Sequence, residues 1–140
     1  MKRFFLLLVM PFCAFFSSCE KTKSPQDLIV GTWLRTKTEI NQKVGDVTNS
    51  KTILPDTDYF IELSNDGRGR FYSVDTNRDF TYDLDDLSDK LVLRFGNGGS
   101  TSYVVEELTK ESLVLSSTGH LFFQGLEISG IQQEYYTRVK

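Results

Sequence analysis

The sequence is poor in the side chains on which most metal and nucleophile chemistry depends. It contains two cysteines and one histidine, His120, among 140 residues. A structural zinc site needs four Cys or His ligands, and a cysteine nucleophile needs a base beside it. No Gly-x-Ser-x-Gly elbow is present, and the glycine-rich segment 96–99 lacks the lysine of a phosphate-binding loop. We therefore predict a protein without cofactor, metal or enzymatic activity.

Long apolar runs are also scarce, and the one that is present stands at the N terminus. Lys2 and Arg3 precede FFLLLVMPFCAFF at residues 4–16, and the small residues Ser17, Ser18 and Cys19 follow. This order is typical of a signal peptide. The apolar run has 13 residues, whereas a helix needs roughly 20 residues to cross a bilayer. The segment is therefore predicted to direct export.

The sequence FSSC at residues 16–19 resembles the lipobox of bacterial lipoproteins, in which the cysteine is diacylated and becomes the first residue. Phe16 fits poorly into an ordinary signal-peptidase site, which favours lipidation over the alternative of a secreted protein with a free thiol. Cys13 would leave with the signal, so Cys19 would have no intrachain disulfide partner. We predict a lipoprotein signal peptide at 1–18, a lipidated tether at 19–26 and a folded domain at 27–140.

The predicted mature chain is acidic and has no cluster of lysine or arginine. Without residues 1–18 it carries 14 basic and 19 acidic side chains, a net charge of −5. Binding to nucleic acid needs concentrated positive charge, and so does docking to anionic lipid. We therefore expect no nucleic-acid partner, and a membrane contact that depends on two acyl chains at Cys19.

The rest of the sequence reads as strands joined by tight turns. Ser24, Pro25 and Asp27 predict a short helix start with a capping box. Period-two alternation and turns such as NDG at 65–67 then predict strands. The predicted strands are 29–39, 58–64, 70–74, 80–84, 90–95, 102–108, 112–116 and 131–139. Such spacing indicates an antiparallel meander that closes as a barrel or forms a sandwich.

Two segments do not fit the meander. Residues 41–57 are predicted to form a long polar loop, of the kind that often acts as a lid. Residues 120–130, HLFFQGLEISG, have two interpretations. They form either an irregular strand pair that fills one end of the core or an apolar lip around a pocket, with Phe122 and Phe123 at its centre.

Gly31-Thr32-Trp33 begins the first predicted strand directly after the short helix, where lipocalins carry their Gly-x-Trp signature. Together with NDGRGRFY, FTYDLDDLSDKLVLRF, YVVEELTKESLVLSS and QEYYTRVK, this motif resembles the small lipocalin-like domains of Gram-negative bacterial lipoproteins over residues 27–140. The resemblance implies an all-β, antiparallel up-and-down eight-stranded barrel with a short N-terminal helical turn. It also implies an outer-membrane location, facing the periplasm or the cell surface.

This resemblance leaves two functions open. In the first, the barrel mouth binds a small apolar ligand, with contacts from Trp33, Tyr59, Tyr82, Phe122, Phe123 and Tyr135. In the second, these side chains fill the barrel, and the protein is a structural or interaction module of the envelope without a small-molecule ligand. Trp33 also has a simpler role in either case, as a buried structural residue.

One acidic segment has the spacing of a calcium loop. The ligand positions of an EF-hand-like loop would fall on Asp75, Asn77, Asp79, Thr81, Asp83 and Asp86. Phe80, however, occupies the position at which that loop needs glycine, and FTYDL alternates as a strand. We therefore favour a solvated hairpin over a calcium site.

Overall fold

The computed structural model describes residues 23–123 and 125–140, so the predicted signal peptide and Cys19 lie outside the described residues. The elements are one helix and nine strands. They are α1 (Pro25–Ile29), β1 (Gly31–Val44), β2 (Val47–Ile53), β3 (Phe60–Leu63), β4 (Arg68–Tyr72), β5 (Asn77–Asp85), β6 (Lys90–Phe95), β7 (Ser100–Leu108), β8 (Ser112–Phe123) and β9 (Leu126–Arg138). Within these residues no helix is long and apolar enough to cross a membrane.

The helix α1 begins at Pro25 because Ser24 and Asp27 hydrogen-bond to each other across its first turn. The Asp27 amide donates to Ser24 Oγ at 3.2 Å, and Ser24 Oγ donates to the Asp27 carboxylate at 2.8 Å. Pro25 stands at the first helical position, where its missing N–H costs nothing. Val30 then adopts an extended conformation and ends the helix. The predicted helix start with Ser24 as its N-cap is confirmed, while the Asp27 carboxylate bonds to the Ser24 hydroxyl rather than to its backbone N–H.

The strands close into an antiparallel up-and-down barrel. β3 to β8 each pair with the next strand in sequence, β1 pairs with β3, and β9 returns to pair with β1, where Arg138 lies opposite Trp33. β1 and β3–β9 therefore form a closed eight-stranded barrel, as predicted. A bulge interrupts the β1–β9 register between Arg35 and Lys37.

The prediction of a loop at 41–57 is wrong for residues 41–53, whereas residues 54–57 do connect β2 to β3 without helix or strand. Residues 41–44 continue β1, Gly45 and Asp46 form a two-residue turn, and β2 pairs back along β1 from Val44–Val47 to Thr38–Ile53. Gly45 has φ +59°, which the turn requires and which glycine adopts without strain. β1 and β2 thus form a β-hairpin, of which only β2 lies outside the eight-stranded barrel.

Three barrel strands extend beyond their neighbours. β7 pairs with β8 only as far as Ser116, whereas the β8–β9 pairing continues to Phe123–Leu126. β2 and the adjoining ends of β1, β9 and β8 therefore form a four-stranded sheet in the order β2-β1-β9-β8, here called the extended sheet. Residues 120–123 and 126–130 belong to the regular β8–β9 pairing rather than to an irregular pair. The side chains of Phe122 and Phe123 lie outside the described part of the structure.

The barrel interior is filled by apolar side chains. Trp33, Ile61, Leu63, Leu91, Leu93, Leu113 and Leu115 are almost completely buried, together with Ile29 of α1. Aromatic rings of the adjacent strands β4, β5 and β6 contact one another, with the Phe71 ring 4.8 Å from Phe80 and the Phe80 ring 6.0 Å from Phe95. This packing stabilises the fold through burial of apolar surface.

The helix α1 closes one end of the barrel. Trp33 Nε1 donates to the Ile29 carbonyl at 2.9 Å, and the Arg138 guanidinium lies 4.1 Å from the Trp33 ring. Arg138 also donates to the carbonyls of Val30, at 2.7 Å, and of Leu28. The helix, the first strand and the last strand are therefore joined at one place, which we call the closed end. The extended sheet lies at the opposite end, the mouth.

Candidate binding cleft at the mouth of the barrel

The extended sheet carries a cleft of about 330 Å³. The face that continues the barrel interior supplies most of its lining. On this face the buried pair Thr38–Glu134 is followed by Ile40 opposite Gln132. The lining residues are Ile40, Gln42, Ser117, Thr118, Gly119, His120, Ile128, Gly130, Ile131 and Gln132. The cleft is thus an open continuation of the closed barrel core.

Two glycines make the floor of the cleft. Gly119 of β8 lies directly opposite Gly130 of β9, and Gly130 lies opposite Gln42 of β1. A Cβ atom added at Gly119 would meet no atom within 4 Å, and one at Gly130 would make only an ordinary contact at 3.4 Å with the Asn41 carbonyl. Space is present here because two neighbouring strands lack side chains at the same level.

The cleft offers both apolar and hydrogen-bonding groups. Ile40 and Ile128 provide aliphatic surface, and the carboxamides of Gln42 and Gln132 provide donors and acceptors. Ligand pockets commonly combine a mainly apolar wall with a few such polar groups.

A polar cluster lies in the interior directly below the cleft. Glu134 is 6% exposed and accepts hydrogen bonds from Gln132 Nε2, at 2.7 Å, and from the Tyr136 hydroxyl. The Arg35 guanidinium lies 4.1 Å from the Tyr59 ring, and among the described residues its buried Nε has no hydrogen-bond partner. Because Gln132 both lines the cleft and binds Glu134, it connects the cleft to this cluster.

Burial and a nearby negative charge raise the pKa values of two tyrosines beside this cluster, Tyr103 and Tyr136. Burial raises the pKa of Tyr103, and the nearby Glu134 carboxylate raises it further. Burial likewise raises the pKa of Tyr136 well above its usual value, with Glu134 contributing through its charge and its hydrogen bond. Both hydroxyls therefore stay protonated over the ordinary pH range, and that of Tyr136 donates to Glu134.

The structure does not bring the predicted ligand-binding tyrosines and Trp33 together. Trp33 lies at the closed end, seven residues along β1 from Ile40, a strand distance of roughly 23 Å. Tyr82 donates to the Ser64 carbonyl at 2.6 Å in the turn between β3 and β4, also toward the closed end. Tyr59 is near the mouth, where it packs on Arg35 and on the Phe71 ring at 5.7 Å. Of the three, Tyr59 is nearest to the polar cluster.

The prediction that Tyr135 faces the interior is wrong. Its hydroxyl donates to the Glu39 carboxylate at 2.9 Å, and Lys37 Nζ lies 4.0 Å from its ring, on the outer face of the sheet. Tyr136 and Glu134 face inward instead. In QQEYYTR the two tyrosines are adjacent, and the inward side includes the carboxylate of Glu134. The alternation of polar and apolar residues therefore does not reveal which side chains point inward.

The six residues with calcium-loop spacing do not converge. Asn77, Asp79, Thr81 and Asp83 lie along the extended strand β5, in which Phe80 is buried in the core. Asp83 instead lies 4.0 Å from Arg94 on the neighbouring strand. Over the described ranges, no group of three or more His, Cys, Asp or Glu side chains could hold a metal ion. The segment is the hairpin strand that the alternation indicated.

A wider depression of about 560 Å³ lies on the barrel wall at β4–β6 and includes Arg68, Asp79 and Arg94. Its apolar lining consists of Phe80 and Phe95, whose rings already pack in the core. The cleft at the mouth is the better candidate because its groups are not required to fill the barrel.

The residues that define this cleft were not among those predicted from the sequence. Ile40 and Gln42 border or lie within the segment interpreted as a loop, and Gly119 and Gly130 have no side chain to draw attention. Glycines within strands were the available signal, because they often mark a place where another molecule or backbone comes close.

The fold and cleft together define a small closed antiparallel barrel with a helix at one end and an open extended sheet at the other. Comparison of the chain with protein-family models, with curated proteins and with solved structures gives no match in any of the three.

Proposed function

We propose that this protein is a lipid-anchored, lipocalin-like protein of the bacterial outer membrane, and that it binds a small, largely apolar ligand at the barrel mouth. The observation that carries the binding proposal is the cleft over Gly119 and Gly130. Its volume of about 330 Å³ is at the lower end of the range of about 300–1,000 Å³ for ligand pockets. The proposal is of a binding protein and not of an enzyme.

The lining suggests the chemistry of the ligand. An aliphatic or aromatic portion would pack on Ile40 and Ile128, while a hydroxyl, carbonyl or amide group would bond to Gln42 or Gln132. Gln132 already donates to Glu134, so its orientation is fixed before a ligand arrives. Such preorganisation reduces the entropy lost on binding.

Filling the cleft tests its role. Gly119→Val should raise the Kd for an apolar probe such as N-phenyl-1-naphthylamine at least about tenfold, a loss of about 1.4 kcal/mol, because the new methyl groups would occupy the floor. Fluorescence titration would give the Kd. Native mass spectrometry of protein isolated from its own host would show whether a carried ligand is lost as well.

Gly96→Val is the matched control. Gly96 lies in the turn after β6, and a Cβ atom there also meets no atom within 4 Å. It should bind the probe and carry the ligand as the parent protein does. Equal binding by Gly119→Val and the parent would refute the assignment of the cleft.

The lipid anchor rests on the sequence FSSC at residues 16–19. Metabolic labelling with palmitate in the bacterial host should label the parent chain, and Cys19→Ala should abolish the label and release the protein from the membrane fraction. Cys13→Ala should retain the label because Cys13 lies within the predicted signal peptide. Label that persists in Cys19→Ala would exclude the anchor.

A second function is favoured by the filled interior. Leu91, Leu93, Leu113 and Leu115 occupy the barrel centre and are almost fully buried, which suits a structural or interaction module without a small ligand. Two measurements distinguish the two functions. A module of this kind would leave the host with no bound mass and would bind the apolar probe equally in Gly119→Val and Gly96→Val.

A further inference from the structure

The strand β2 presents a long unpaired edge. All seven of its residues, Val47–Ile53, are exposed, and within the described ranges its only strand neighbour is β1. The N–H and C=O groups on such an edge can pair with another strand, and proteins usually block long exposed edges with prolines, bulges or several charges. β2 has no proline and only one charge, Lys51.

The residues of β2 form a nearly palindromic pattern. In the sequence VTNSKTI, residues at equal distances on either side of Ser50 resemble each other. The pairs are Asn49 with Lys51, Thr48 with Thr52, and Val47 with Ile53. An antiparallel pair of two such strands, centred on Ser50, would place each residue opposite one of similar size and polarity. Lys51 would lie opposite Asn49 of the second copy, so that no like charges would meet.

The hydrogen-bond pattern of the hairpin allows this pairing. The two-residue turn Gly45-Asp46 makes Val44–Val47 a hydrogen-bonded pair, and bonded and non-bonded pairs then alternate along an antiparallel ladder. The backbone groups of Thr48, Ser50 and Thr52 therefore point away from β1. In a pair centred on Ser50, these same residues face each other and form about six backbone hydrogen bonds.

We propose that two copies of this protein associate through β2, in an antiparallel pair with its twofold axis at Ser50. The two extended sheets would join into one continuous sheet. The pairing would also bring Val47, which is 59% exposed, next to the exposed Ile53 of the second copy. A second copy is the occupant that fits because a twofold pair uses the same surface on both partners, and this strand is complementary to itself.

A cysteine on the axis tests the geometry. In the full-length protein, Ser50→Cys should form a disulfide-linked dimer on mild oxidation, because opposite residues in a bonded pair have Cα atoms about 5.5 Å apart, within disulfide range. Thr48→Cys is the matched control on the same strand and face. Its two copies would lie about 14 Å apart and should not crosslink. The parent protein, run beside them, reports any bond made by Cys13 or Cys19.

A charge on the axis tests the association. Ser50→Lys would place two lysines opposite each other, and sedimentation of the full-length protein in detergent should show at least a tenfold weaker dimer than in the parent. Ser50 is exposed, and among the described residues its hydroxyl bonds only to Asn41, at 2.6 Å, so the fold should be kept, with an unchanged circular dichroism spectrum. Equal crosslinking of Ser50→Cys and Thr48→Cys would overturn the proposal. A parent protein that stays monomeric at all concentrations would also overturn it, and would leave the edge available to an unrelated strand.

Discussion

Trp33→Ala is expected to lower the free energy of unfolding by about 3–5 kcal/mol. The Trp33 side chain is fully buried, so its loss removes a large apolar surface and leaves a cavity at the closed end. It also removes the donor to the Ile29 carbonyl and the ring against which Arg138 packs. A small domain has a total stability of about 5–15 kcal/mol, so the variant would lose a large fraction of its stability.

Urea denaturation followed by far-UV circular dichroism measures this effect, since Trp33 is the only tryptophan and its fluorescence is lost with it. The midpoint should fall while the slope m stays the same. Leu87→Ala is the control, because Leu87 is 98% exposed and its loss should change stability by less than about 0.5 kcal/mol. A Trp33→Ala protein as stable as the Leu87→Ala protein would show that the closed end does not depend on this residue.

Gly31→Ala should have the second largest effect, at about 1–3 kcal/mol from backbone strain alone. Gly31 has φ +146°, which side-chain-bearing residues rarely adopt. A Cβ atom there would also overlap with the Arg138 guanidinium. Arg138 would have to move and would weaken its bonds to the Leu28 and Val30 carbonyls, so the loss should exceed the strain contribution.

Two further variants separate strain from displacement of Arg138. Gly98 has φ +83°, and a Cβ atom there would meet no atom within 4 Å. The stability lost in Gly98→Ala therefore measures backbone strain without steric overlap. Arg138→Met removes the guanidinium, and in the double variant the added cost of Gly31→Ala should shrink toward that of Gly98→Ala. Fully additive costs, measured by the same urea denaturation, would show that Gly31 and Arg138 act independently.

The eight barrel strands could be predicted because burial imposes a one-sided pattern on most of them, and α1 could be predicted from its capping residues Ser24, Pro25 and Asp27. Leu91 and Leu93, for example, are buried while Arg94 is exposed, and this difference is visible in the sequence as alternation. β2 could not be predicted in the same way. All seven of its residues are exposed, so no contrast between two faces marks it as a strand, and its polar residues are typical of a loop.

The cleft could not be predicted for a different reason. Sequence patterns report side chains that are present, whereas the cleft exists because Gly119 and Gly130 meet across two strands. Their meeting depends on the β8–β9 register, which is set over the whole length of the hairpin. A similar limit applied to Tyr135 and Tyr136, where a one-residue difference in register exchanges the inner and outer faces.

The position of α1 has a consequence for how an anchored protein would reach its surroundings. The helix covers the closed end, and the five peptide units between Cys19 and Ser24 can span at most about 18 Å. An acyl anchor at Cys19, as proposed, would therefore keep the closed end beside the bilayer. The 14 residues of β1 extend up to about 46 Å from it. The cleft and the β2 edge would then stand at the far tip of the molecule, beyond the lipid headgroups, where soluble ligands and neighbouring anchored copies can approach from the side.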